Sequence, residues 1–131
     1  MCNLGVLWHD RAGDATTALA LRRRFVEELR RHDGWQIDEE AAKIIFTELV
    51  ANAALHAPGA IDITVTCADN SISLQVKDSG SAFEWNPRLP PPISESGRGV
   101  FIVSRFAESV DVKAVPSGKM VTAILPRRLH S

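Results

Sequence analysis

The chain has almost no net charge, few cysteines, no long apolar run and no lysine-bearing phosphate loop. Each absence removes a class of function. With 15 Lys and Arg against 16 Asp and Glu, the formal net charge is -1. That balance gives no reason to expect non-specific binding to nucleic acid or to a membrane surface. The start, MCNLGVLWHDRAGD, carries no apolar stretch of signal-peptide length behind a basic end, and no run approaches membrane-spanning length. Two cysteines, Cys2 and Cys67, make neither a disulfide framework nor a metal pattern. The histidines at 9, 32, 56 and 130 are scattered. No GxxxxGK[ST] segment is present, which excludes a Walker-type lysine. No internal repeat and no long linker interrupt the chain. The sequence therefore reads as a cytoplasmic protein without a structural metal.

What remains is ordinary globular material. At 131 residues, 45% hydrophobic and 24% charged, the chain reads as a single domain over 1–131. A chain of that length buries roughly two thirds of its unfolded surface. Leu4 to Trp8 reads as a short strand. Thr16 to His32 reads as a helix, with Leu21, Phe25 and Leu29 on one face and Arg23–Glu27 and Glu27–Arg31 as spaced opposite charges. Gly34 stops it. Asp38 is a good N-cap for a second helix that runs to about Ala57, where Pro58-Gly59 ends it. Ile61, Ile63 and Val65 alternate with polar residues, and Ile72, Leu74 and Val76 do so again beyond Asp69-Asn70. That pattern predicts a hairpin. Gly99 to Phe106 reads as a short helix, and Val110–Val115 with Met120–Leu125 as a second hairpin. Helices on one face of a mostly antiparallel sheet make an α+β, two-layer sandwich.

The chemistry gathers where these elements end. Within FTELVANAALH, residues 46 to 56, Glu48, Asn52 and His56 fall four apart and share one face of the helix. Leu49, Val50, Ala53 and Leu55 flank that row and place it at the edge of a core. Polar groups there are costly to bury without partners. An amide oxygen is a hard ligand suited to magnesium, and Glu48 one turn earlier is placed to take a proton from an attacking hydroxyl. Taken alone, the row better fits the solvated boundary of an amphipathic helix, and a histidine near a helix end more often caps the last carbonyls. Asp78-Ser79-Gly80 follows a strand. It suits a plain turn, or a carboxylate accepting from an adenine amino group beside a glycine that lets the backbone approach the base. Gly97-Arg98-Gly99 precedes the short helix near Val100. It suits a hinge, or a set of amides and a guanidinium facing an anion.

Taken together, E-x-x-x-N-x-x-x-H, then D-x-G, then G-x-G resembles the GHKL ATP-binding fold of gyrase, histidine kinases and heat-shock chaperones. More closely, ELVANAALHA, DSGSAF and GRGVFIV resemble the anti-sigma-factor serine-kinase branch of bacterial partner-switching regulators. The resemblance runs from the first helix to the final strand. It implies ATP and magnesium (Mg2+) as cofactors, Glu48 as general base and Asn52 as the magnesium ligand. It also implies nucleotide contacts at Asn52, His56, Asp78, Gly80, Phe83, Gly97, Arg98, Gly99 and Val100. The implied reaction is phosphorylation of a serine on an anti-anti-sigma protein with a STAS domain. The implied second activity is sequestration of a sigma factor, with a homodimer as the working state.

One position departs from the pattern. The family usually carries Gly-Thr at the start of the last strand, where this chain has Gly118-Lys119. Lysine accepts no hydrogen bond, so the adenine contact at that edge is altered. The segment EWNPRLPPPISES, residues 84 to 96, occupies the place of an ATP lid, and its three consecutive prolines favour a stiff extended conformation. Trp85 within it is an aromatic for the core or for a partner. The arginines of the first helix, Arg22 to Arg24 with Arg30 and Arg31, read as a salt-bridged solvated face. Two function classes follow: an ATP-dependent serine kinase that is also an anti-sigma factor, and a nucleotide-gated protein-binding module with little turnover. A detached histidine-kinase ATPase domain is disfavoured, since no dimerisation helix with a phosphoacceptor histidine precedes the motifs.

Overall fold

Period-two alternation in the strands and a broad apolar face on the second helix decide the architecture. The structure, a computed structural model, describes residues 6–10, 15–31, 36–56, 60–68, 71–79, 102–116 and 118–128. In chain order these form β1 (Val6–Asp10), α1 (Ala15–Arg31), α2 (Glu39–His56), β2 (Ile61–Ala68), β3 (Ser71–Asp78), β4 (Ser109–Val115) and β5 (Gly118–Ile124). Residues 102–106 form one further helical turn. All strands pair antiparallel in one five-stranded sheet of order β1-β2-β3-β5-β4. The α+β expectation holds. The first strand lies slightly later than the Leu4–Trp8 reading, at Val6–Asp10, with a register shift between Val6 and Trp8.

One face of the sheet is dry. Ile61, Ile63 and Val65 of β2, Ile72, Leu74 and Val76 of β3, and Val121 and Ala123 of β5 are all buried. Between them lie residues of intermediate exposure. The covering layer is α2, which packs on β3, with α1 packed on α2. Along α2 the residues Ala42, Ile45, Phe46, Leu49, Val50 and Ala53 are buried. Phe46 stacks on Phe25 of α1 with ring centroids 4.7 Å apart and planes 16° from parallel. Such a stacked pair contributes about 0.5–1.5 kcal/mol beyond its area burial. The β4 strand closes the far edge, with Asp111 and Lys113 exposed along it.

Asp38 caps α2 as its residue type implies. Its Oδ1 accepts from the Ala41 amide at 3.1 Å, and its own carbonyl accepts from the Ala42 amide at 2.9 Å. The charge pattern of α1 resolves differently from the spacing-based expectation. Arg31 pairs with Glu28 at 2.9 Å, and Arg30 reaches across to Glu39 at the start of α2 at 2.7 Å, in place of Arg23–Glu27 and Glu27–Arg31. The winning contact for Arg30 is bidentate, through Nε and a terminal nitrogen, and a two-point fork outcompetes a single helical neighbour. A second correction concerns Cys67, which is disulfide-bonded.

The Arg30 hydrogen bond holds the Glu39 carboxyl below its usual range, with the nearby Arg30 and Lys43 charges adding to the effect against the cost of burial. A carboxylate with a lowered folded pKa contributes stability that is full above its unfolded pKa and lost as pH falls through the folded one. The stability gap between wild type and Arg30→Met is therefore expected to be constant near neutrality and to shrink from about pH 5 to about pH 3. Both groups are solvent-accessible, so the gap is small. Urea unfolding at a series of pH values measures it. A gap that widens on acidification contradicts this assignment.

Candidate functional site

The polar side chains of the core lie at the ends of its apolar rows. Asn52 sits on α2 between Leu49 and Ala53, one turn after Glu48. Glu48 is half-buried and Asn52 is 5% exposed. The row is therefore at the rim of the core. The Asn52 side-chain oxygen is fully buried, and among the described residues nothing donates a hydrogen bond to it. An unmet amide acceptor in such a place costs roughly 1–3 kcal/mol. A cation, or a donor supplied by a ligand, would remove that cost. His56 is the final residue of α2.

The second polar group ends β3. Burial along that strand alternates strictly, and the inward positions are Ile72, Leu74, Val76 and then Asp78. Asp78 thus occupies a core position in an otherwise aliphatic row and is 3% exposed, while the next residue, Ser79, is exposed. On β5 the inward row runs Lys119, Val121, Ala123. Asp78 and Lys119 are register partners across the β3–β5 ladder. Their side chains meet as an ion pair, Lys119 Nζ to Asp78 Oδ2 at 3.6 Å, with each side chain 1% exposed. The sequence marks Lys119 as a lost acceptor; the structure shows it as a buried counter-charge. The available signal was the period-two row of Lys119, Val121 and Ala123, which puts position 119 inside.

Gly118 locks the approach of these two strands. Its φ is +156°, a conformation reserved almost entirely for glycine. A Cβ placed there would overlap the Asp78 carbonyl oxygen and lie 2.7 Å from Ser79 Cα and 2.8 Å from the Asp78 carbonyl carbon.

Of the residues expected in the site, Glu48, Asn52 and Asp78 are thus placed on α2 and on the adjoining strand β3. Gly80, Phe83, Gly97, Arg98, Gly99 and Val100 lie outside the described residues, as do Trp85 and the 84–96 segment. Among the described residues no group of three or more His, Cys, Asp or Glu converges on a metal position. The Asn52 amide oxygen is a donor of the hard kind that magnesium accepts. Separately, Leu19, Arg22, Arg23, Val26, Arg30 and Lys43 line an open depression of about 440 Å³ beside α1. No helix among the described residues is long and apolar enough to cross a membrane.

Comparison with known proteins bears on this geometry. A family model for the histidine kinase-like ATPase domain matches residues 13–125. No curated protein matches the chain.

Proposed function

The chain belongs to the histidine kinase-like ATPase domain family, and from that premise we propose that it is an ATP-dependent serine-protein kinase and anti-sigma factor. ATP binding follows from the family. The finer reading is supported by one observation above the rest: a buried, unmet amide oxygen at Asn52 with a half-buried carboxylate, Glu48, one helical turn before it. A module that only binds nucleotide has no use for a base in that place.

Magnesium-ATP, when bound, supplies the phosphoryl group and neutralises its charge. The residues of this chain do the rest. The Asn52 oxygen would hold the metal. Asp78 would face the adenine amino group, and Glu48 would accept the proton of the substrate serine hydroxyl as its oxygen bonds to the terminal phosphorus and ADP leaves with the breaking phosphorus–oxygen bond. Proton acceptance by a positioned carboxylate matters here because little other covalent chemistry falls to the protein in phosphoryl transfer. The proposed substrate is an anti-anti-sigma protein with a STAS domain, and the proposed sequestered partner is a sigma factor, with the kinase as a homodimer. Support for these partners comes from ELVANAALHA, DSGSAF and GRGVFIV.

A second reading, a nucleotide-gated binding module with little turnover, is favoured by the Asp78–Lys119 pair, because the carboxylate meant for the base already has a cation beside it. Incubation with radiolabelled ATP and partner proteins captured from the native cell separates the two. Label on a captured serine supports the kinase. Nucleotide-dependent capture without label supports the module.

The metal assignment has its own check. Titrated with a fluorescent ATP analogue, wild type is expected to bind more tightly with magnesium than without. Asn52→Ala is expected to lose that increment, leaving about the metal-free affinity. Retention of the full magnesium effect in the variant rejects Asn52 as the ligand.

A further inference from the structure

Two opposite charges closing two aliphatic rows is a costly arrangement, and its cost has a consequence for selectivity. Removing an ammonium and a carboxylate from water is tolerated only when each meets the other. Lys119 and Asp78 do so at 3.6 Å with 1% exposure apiece. Lysine is purely a donor and an ionised carboxylate purely an acceptor. A purine amino group that seeks Asp78 is also a donor, and an uncharged one. It therefore approaches a carboxylate whose charge a buried ammonium already offsets at 3.6 Å, and a carboxylate so neutralised gains less from a further donor. Nor does the backbone give way: Gly118, next to Lys119, is pressed against the Asp78 carbonyl, which fixes the spacing of the two strands.

We propose that Lys119 is the residue that sets base selectivity, by holding Asp78 in an internal ion pair so that nucleotides are retained through their phosphates and adenine is hardly preferred. The inference rests on the reading of Asp78 as the base-facing group. In this chain the strand end that would read the base is latched by its own neighbour, and freeing the carboxylate restores the reading. Threonine at position 119 removes the cation and introduces a β-branched residue suited to a strand.

Calorimetry with magnesium-ATP and magnesium-GTP on the whole chain tests this. Wild type is expected to prefer ATP over GTP by less than about threefold, whereas Lys119→Thr is expected to prefer ATP by about tenfold or more, a gain of about 1.4 kcal/mol. The gain is expected in ATP affinity, with GTP little changed. Wild type that already prefers ATP by more than about tenfold overturns the latch, and this result requires no variant to fold. So does a folded Lys119→Thr with unchanged or weakened ATP binding. In those cases the ATP reading survives, because ATP still binds. If neither protein binds either nucleotide, the nucleotide reading falls and the latch with it.

Discussion

Glu48→Ala is expected to bind ATP about as well as wild type while phosphorylating its protein partner at least about a hundredfold more slowly. The asymmetry follows from where the side chains sit. On the proposed reading, affinity rests on groups other than Glu48, the Asn52 oxygen among them through magnesium. Glu48 is half-buried and carries a negative charge towards a polyanion, so its loss removes repulsion and leaves binding equal or slightly tighter. Its service is felt only when the serine hydroxyl attacks, and general-base assistance contributes about a hundred- to ten-thousand-fold in rate. Paired assays with radiolabelled ATP and purified partner, alongside equilibrium titration, read both quantities. Equal labelling by the two proteins keeps the kinase and rejects Glu48 as its base. Matching losses of affinity and rate would instead make Glu48 a binding group.

Gly118→Ala is expected to be among the most destabilising single substitutions in the described residues, at about 3 kcal/mol or more. Two effects coincide. Holding a non-glycine residue in this region of backbone space costs about 1–3 kcal/mol, and the new methyl group overlaps the Asp78 carbonyl oxygen. That neighbour is backbone at the end of the β3–β5 ladder and has no rotamer to escape into. The start of β5 must shift away from β3, and the Asp78–Lys119 pair opens with it. Against a total stability of about 5–15 kcal/mol for a domain of this kind, the loss is plain in urea denaturation. Gly118→Ala that unfolds at the wild-type midpoint contradicts the tight approach. A substitution at the turn residue Pro116, which is exposed, provides the contrast, with an expected effect within about 0.5 kcal/mol.

Local rules carried most of the fold. The Asp38 cap, the two helices and the β2–β3 hairpin follow from residues within a few positions of one another, and all appear where the pattern puts them. Long-range pairing is where sequence reading stopped. Arg30 chose Glu39, nine residues on and in another helix, over its own helical neighbours. Cys67 is bonded although spacing between the cysteines suggested no framework. Asp78 was legible as a candidate because it directly follows an alternating strand. Its tie to Lys119 was not, because β3 and β5 are joined by register and not by succession. Period two places residue 119 inward only once its strand is known to share the dry face with β3. The glycine pair at 97–99 belongs to a stretch outside the described residues, so its role stands on the motif.

The edge strand β4 has a bearing on the chain's life in a concentrated solution. Among the described residues its outer side meets no other strand, so a row of amides and carbonyls there is open to any passing extended chain. Asp111 and Lys113, both exposed, stand along that strand with opposite signs. A visiting strand would have to strip water from both, which ordinary apolar segments cannot compensate. Opposite charges set along an edge strand in this way disfavour the addition of a strand from another molecule.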